Sequence, residues 1–198
     1  MKLYLSNIAD LQPRHREYIT PSRLEQAMRY RMYKDRARCI AGGVLLRRFV
    51  GETEIVKNAY GKPIAGNGVC FNLSHSGDWV ALAVDKTDVG CDIEKLRYTR
   101  YERMGRIVFT ERELAQIQSA SDKMNAFYQL WTKKEALLKC MGSGFHREAK
   151  SVDVSANRFF EENKRYYLQT MLFSDYILSV CSLSETKPDL SFVNLKMI

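Results

Sequence analysis

The chain lacks any paired cysteine motif. Its five cysteines, Cys39, Cys70, Cys91, Cys140 and Cys181, are odd in number and scattered, with no C-x-x-C spacing. That pattern supplies neither a zinc cluster nor a disulfide framework, so a reduced, cytoplasmic protein is expected. Long apolar runs are also missing, since none approaches the roughly 18 residues of a membrane span. The first ten residues run into Leu11-Gln12-Pro13-Arg14-His15-Arg16 before the core of a signal peptide could form. A membrane partner is therefore not expected. Asn72-Leu73-Ser74 matches a glycosylation acceptor, but the match has no meaning in a chain that is not secreted.

What is present is ample apolar material: 45% of 198 residues are hydrophobic, enough for one compact unit or two small halves sharing an interface. The net charge of +8 is uneven. Residues 1–62 carry 13 Lys and Arg against 6 Asp and Glu, while the remainder carries 18 against 17. An arginine-rich first third suits an anionic partner or a solvated helix face, and charge alone does not separate the two.

From Thr20-Pro21-Ser22 onward, Leu24, Ala27 and Met28 and then Ala41, Val44 and Leu45 recur at helical spacing, and Gly51 ends the pattern. Past Tyr60-Gly61-Lys62-Pro63 the period changes to short strands over residues 69–73, 79–84 and 89–94. Small polar turns, Ser76-Gly77-Asp78 and Asp85-Lys86-Thr87-Asp88, separate them. The second half repeats the order. A helix over residues 126–140 stops at Gly142-Ser143-Gly144, and strands follow near Val152 and over 167–173 and 176–182. Two helix-then-strands units predict an α+β fold of two pseudo-twofold halves, residues 1–98 and 99–198, with a boundary near 96–104.

Three clusters can carry chemistry. Gly90-Cys91-Asp92-Ile93-Glu94 puts two carboxylates on one face of a strand and Ile93 into the core. Such a pair is either a solvated edge or a site for a hard divalent cation. On the helix, Trp131, Glu135 and Lys139 form one stripe at four-residue spacing, beside an apolar face that includes Phe127, Leu130 and Leu138. That setting suits a third carboxylate ligand with a phosphate-binding lysine nearby. In Phe71-Asn72-Leu73-Ser74-His75-Ser76-Gly77-Asp78-Trp79, adjacent strand residues point to opposite faces, so Ser74 and His75 do not form a hydrolase pair. A structural histidine and a phosphate contact by Ser74 and His75 both remain open.

Read in order, Y-G-K-P, F-N-L-S-H-S-G-D-W, G-C-D-I-E, F-T-E-R-E and W-T-K-K-E-A-L-L-K-C-M-G-S-G span Tyr60 to Gly144 and resemble the motif series of Sfp-type phosphopantetheinyl transferases. The resemblance implies two similar α+β halves with coenzyme A in the cleft between them. It implies Asp92, Glu94 and Glu135 as magnesium ligands, and Lys62, Ser74, His75, Arg23 and Arg38 as contacts to coenzyme A phosphates. Lys139 matches a lysine near the transferred phosphate, and Glu113 an acidic position supporting the site. Gln26 stands where a basic residue is usual, so the grip on the 3'-phosphate is expected either to be looser or to be supplied by Arg29 or Lys34. The implied reaction moves phosphopantetheine onto a serine of an apo carrier protein and releases adenosine 3',5'-bisphosphate, with Glu135 as the base and Asp92 and Lys139 in the catalytic set.

A nucleic-acid-binding module would use the basic first third but leaves the carboxylates unexplained, and a metal-dependent nuclease does not predict the ordered motifs. No nucleic-acid partner is expected, and a monomer is. Residues 96–114 set Tyr98, Tyr101, Met104, Ile107 and Phe109 among Arg97, Arg100, Arg103 and Arg106. That mixture suits either an ordinary surface helix whose apolar side covers the second half or, as the resemblance implies, a surface that docks the acidic helix of a carrier.

Overall fold

The computed structural model describes residues 1–142 and 148–198, and the expected stop residues Ser143 and Gly144 lie outside them. The chain opens with β1 (Lys2–Asn7) and α1 (His15–Tyr18), followed by α2 (Pro21–Arg29) and α3 (Tyr33–Phe49). The helical stretch that the spacing predicts up to Gly51 is therefore two helices, separated where Tyr30 and Met32 take extended backbone angles. Thr20 starts α2, its Oγ1 accepting the Arg23 N–H, and Pro21 fills the first turn, where no N–H is needed.

A hairpin of β2 (Ile55–Lys57) and β3 (Pro63–Ala65) precedes β4 (Cys70–Ser76), β5 (Trp79–Asp85) and β6 (Val89–Lys95). Then come α4 (Tyr101–Val108), α5 (Glu111–Ser119) and α6 (Lys123–Met141). The last elements are β7 (Arg158–Glu161), β8 (Lys164–Phe173), β9 (Tyr176–Ser182) and β10 (Asp189–Phe192). Val152 begins no strand; it follows a 3-10 turn at Ala149–Ser151.

The architecture is α+β, as expected, with four-stranded sheets ordered β10-β1-β5-β4 and β6-β9-β8-β7. Chain order and sheet membership diverge at the expected 98/99 division. Strand β6 pairs antiparallel with β9, and the final strand β10 returns to lie parallel to β1.

Side-chain alternation builds four layers. Val44 and Leu45 of α3 pack with Val80 and Leu82 on one face of the first sheet. Leu137 and Leu138 of α6 pack with Ile177 and Cys181 on the second. Between the sheets, Leu3, Leu5, Ala81 and Ala83 meet Cys91, Ile93, Leu178 and Val180. Fully burying such an aliphatic side chain contributes roughly 1.5–3 kcal/mol, so this layer fixes the register of β6. A one-residue slip would turn Asp92 and Glu94 into it. Gly90 completes the placement: a Cβ there would lie 2.0 Å from the Ala136 carbonyl oxygen and 2.6 Å from the Cys140 nitrogen. Only a residue without a side chain lets α6 lie this close on β6.

Candidate active site

Strands β4 and β6 are edge strands of different sheets, and side chains join them. Asn72 Oδ1 accepts the Cys91 N–H at 2.9 Å, Ser74 Oγ the Ile93 N–H at 3.2 Å, and Ser76 Oγ the Lys95 N–H at 3.1 Å. The two hydroxyls donate in turn to the carboxylates, Ser74 to Asp92 Oδ1 at 2.9 Å and Ser76 to Glu94 Oε2 at 2.6 Å.

Opposite them, α6 starts at the Asp122 cap, whose Oδ1 accepts the Asn125 N–H, and ends at Gly142 in the left-handed region. It brings Lys139 Nζ to 2.6 Å from Asp92 Oδ1 and 3.3 Å from the Cys91 carbonyl. Burial alone would lower the Lys139 pKa, but the Asp92 charge and hydrogen bond outweigh it, and the pKa rises. Burial pushes Glu135 up to about 7 against the pull of Lys139, with the Asp92 and Glu94 charges adding to the rise. Glu94 is raised for the same first reason, opposed by the Ser76 hydrogen bond. The carboxylates thus share one electrostatic neighbourhood.

That neighbourhood fits a cation. Asp92 Oδ2 is buried without a hydrogen-bond partner among the described residues, an arrangement that is costly unless something positive meets it. As the side chains stand, no trio of His, Cys, Asp or Glu among the described residues converges to ligating distance, and Lys139 is the cation at Asp92. Oxygen donors of this kind suit magnesium, which keeps several waters and takes one or two carboxylates plus substrate phosphates.

A cavity of about 310 Å³ adjoins the cluster, lined in part by Arg23, Ser74, His75, Asp92 and Lys139. Five of the expected site residues are thus brought together. His75 is pulled below its ordinary pKa, first by loss of solvent and then by the Arg38 guanidinium. Gln26, Tyr30, Cys39 and Leu73 also line this cavity, and sequence reasoning gave none of them a binding role. A second cavity, about 330 Å³, lies between α5 and α6 among amide side chains and holds none of these carboxylates.

Four expected site residues do not line the cavity. Glu94 and Glu135 lie beside it, in the carboxylate cluster. Arg38 donates to the Gly77 carbonyl at 2.7 Å and pairs with Asp35. Lys62 Nζ is held by Asp88 Oδ1 at 2.8 Å and by the Cys140 carbonyl at 2.9 Å. Arg29 pairs with Glu25 and Lys34 with Asp78, both at exposed positions, and neither lines the cavity. The Ser74 hydroxyl proton is committed to Asp92, leaving no donor for a phosphate in this arrangement. Glu113 sits away from the cavity: it closes the capping box with Thr110 and binds Lys134 Nζ at 2.7 Å. It fixes α6 from behind.

Along the expected docking segment, Tyr98, Met104 and Ile107 are exposed, but Phe109 is 1% exposed within the second core and Tyr101 leans on Phe127. Phe109 belongs to the core because its ring meets Phe127 of α6 edge-on, with centroids 5.6 Å apart.

Residues 88–183 match the family model of the 4'-phosphopantetheinyl transferase superfamily. The match takes in just under half of the chain, and it falls on β6, α6 and β9, which frame the carboxylate–lysine cluster; over that stretch the chain is similar to this superfamily of transferases. Among curated proteins it is similar to the 4'-phosphopantetheinyl transferase gsp of Aneurinibacillus migulanus, 28% identical over 196 residues, covering 90% of this chain and 82% of that one. The 4'-phosphopantetheinyl transferase Sfp of Bacillus subtilis is 30% identical over 143 residues, covering 66% and 63%. AcpT of Salmonella typhi, also a 4'-phosphopantetheinyl transferase, is 40% identical over 114 residues, covering 54% and 59%. The chain thus spans about three fifths of the length of these last two.

Proposed function

We propose that the chain transfers the 4'-phosphopantetheine of coenzyme A to a serine of an apo carrier protein, releasing adenosine 3',5'-bisphosphate. The observation that carries this reading is one cavity edged by Arg23, His75 and Lys139 on one side of an unsatisfied buried Asp92 oxygen. Coenzyme A bears a 3'-phosphate and a pyrophosphate, and a guanidinium reads such groups through planar, paired donors. Arg23 suits the 3'-phosphate. Contacts from Arg38 and Lys62 would require exchange of their present partners.

Asp92, Glu94 and Glu135 would hold magnesium, which when bound would neutralise pyrophosphate oxygens and the charge growing on the leaving group. Lys139 Nζ adds a second positive charge at the same place. The carrier serine oxygen attacks the pantetheine-side phosphorus, the bond to the bisphosphate breaks, and the Glu135 carboxylate takes the serine proton. No enzyme nucleophile is required.

The carrier is proposed to dock on residues 96–114, where Tyr98, Met104 and Ile107 remain exposed among Arg97, Arg100, Arg103 and Arg106. We propose a monomer, since one chain supplies every wall of the cavity, and no nucleic-acid or membrane partner. No helix among the described residues is long and apolar enough to cross a membrane, and five free cysteines support a reducing, cytoplasmic setting. Incubation with coenzyme A, magnesium and a panel of apo carriers tests the function by mass spectrometry. A phosphopantetheine increment on a carrier serine is expected, and its absence across the panel rejects the reading.

A further inference from the structure

The rungs between β4 and β6 follow a rule. Asn72, Ser74 and Ser76 alternate along one strand, and Cys91, Ile93 and Lys95 offer their N–H groups from the other. Each serine then reaches the carboxylate one residue before the N–H it accepts: Ser74 reaches Asp92, and Ser76 reaches Glu94. Where the preceding residue is Gly90, with no carboxylate to hold, the rung is an asparagine, whose amide oxygen accepts from Cys91. A hydroxyl has one proton and two lone pairs, so it can accept from the backbone and donate to a carboxylate together. Asp92 and Glu94 carry like charges on one strand face and would otherwise swing apart.

We propose that Ser76 is a positioning residue for the divalent-cation site: its hydroxyl, anchored on the Lys95 N–H, presets the Glu94 carboxylate as Ser74 presets Asp92. This rests on the metal reading above. Partners of this kind orient a ligand before the ion arrives, and removing one typically weakens metal affinity by about 10–100-fold. The Ser76 hydroxyl touches no reacting atom, so its effect acts through Glu94.

The test is Mn²⁺ binding to the full chain with coenzyme A and no carrier, followed through the electron paramagnetic resonance of free Mn²⁺, with melting temperature measured in parallel. Ser76→Ala should weaken Mn²⁺ binding about tenfold, while Ser76→Thr, which keeps the hydroxyl, should stay within about threefold of the wild type. In a Glu94→Gln background, Ser76→Ala should add little further loss, because the two act as one unit. Wild-type Mn²⁺ affinity in a folded Ser76→Ala protein would overturn the assignment while leaving the transferase reading intact. So would full independent loss in the Glu94→Gln background, or an equal fall in melting temperature and affinity for the Ala and Thr variants. A wild type that takes up no Mn²⁺ would remove the metal reading and this assignment with it.

Discussion

Helix α6 presents two lysines five residues apart, each on a carboxylate, and they are built to opposite ends. Lys134 is buried, with Glu113, Val108, Ala149 and Val152 oxygens all within 3.1 Å of its ammonium. Glu113 in turn takes N–H groups from Thr110 and Val154, so the pair leaves nothing unmet. Lys139 is 27% exposed and faces an Asp92 whose second oxygen has no partner among the described residues, with two further carboxylates in electrostatic reach. A saturated buried pair holds structure, and an unsaturated one at a cavity edge has capacity left for a ligand.

The largest expected effect breaks the saturated pair. Lys134→Met leaves the Glu113 charge buried with two N–H partners only, and losing one member of such a pair costs about 3–5 kcal/mol. Lys139→Met should cost less stability, since Lys139 is itself part-exposed and Asp92 keeps the Ser74 hydroxyl, yet should abolish transfer. Urea unfolding and carrier modification, measured on both variants, check the contrast. Equal destabilisation by the two would erase the distinction between them.

The next effect tests what holds the two regions at their spacing. Gly90→Ala drives a methyl into the Ala136 carbonyl, a backbone atom that cannot rotate away, so α6 must lift from β6. Overpacking of this kind costs about 1–3 kcal/mol, and more when backbone must move. Because Lys139 and Glu135 ride on the lifted helix, transfer should fall further than stability, by about a hundredfold at a temperature where the variant stays folded. A folded Gly90→Ala enzyme of normal activity would show that the close approach is not needed.

How far the sequence announced this site depends on whether each residue's partner is local or distant. Strand alternation alone put Asp92 and Glu94 on one face and Ile93 in the core, and helical spacing put Glu135 and Lys139 on one stripe. Trp131, third in that stripe, instead packs on Phe127. Two-residue spacing also linked Asn72, Ser74 and Ser76, a signal equally available before the fold was known but without meaning until β6 lay beside them. Arg38 and Lys62 could not be placed, because what holds them, Asp35 and Asp88, is set by tertiary contact. Strands β1 and β10 escaped notice for a related reason: they are short, and β10 gains its partner from the far end of the chain.

A smaller effect sharpens the electrostatics of the cavity. Arg23 lines it while Arg38 is occupied by Gly77 and Asp35, so the two arginines, equal on sequence grounds, should separate. Arg23→Ala should raise the Michaelis constant for coenzyme A about tenfold, as expected for loss of a charge-assisted contact, and hardly change that for dephospho-coenzyme A. Arg38→Ala should do less to either substrate. Equal responses to the two substrates would place Arg23 away from the 3'-phosphate.

The smallest effect belongs to the exposed segment that joins β6 to α5, the counterpoint to both lysines of α6. Arg103 lies on α4 near Met104 and Ile107, exposed, with the apolar pair 39% and 69% accessible, while Tyr101 and Phe109 anchor the segment to the second core. Charges at the rim of a docking surface act mainly on encounter, and salt within about a Debye length of 8–10 Å screens them. Arg103→Glu should therefore raise the Michaelis constant for an acidic carrier about threefold at low ionic strength and much less at high. Affinity for coenzyme A should not move, because the substituted charge lies outside the cavity. Ile107→Ala, which removes contact area and no charge, should weaken the carrier equally at both ionic strengths. Steady-state kinetics at two salt concentrations separates the outcomes. Carrier kinetics unchanged in both variants would move the docking surface off α4 and leave its apolar face as a cover for the second half alone.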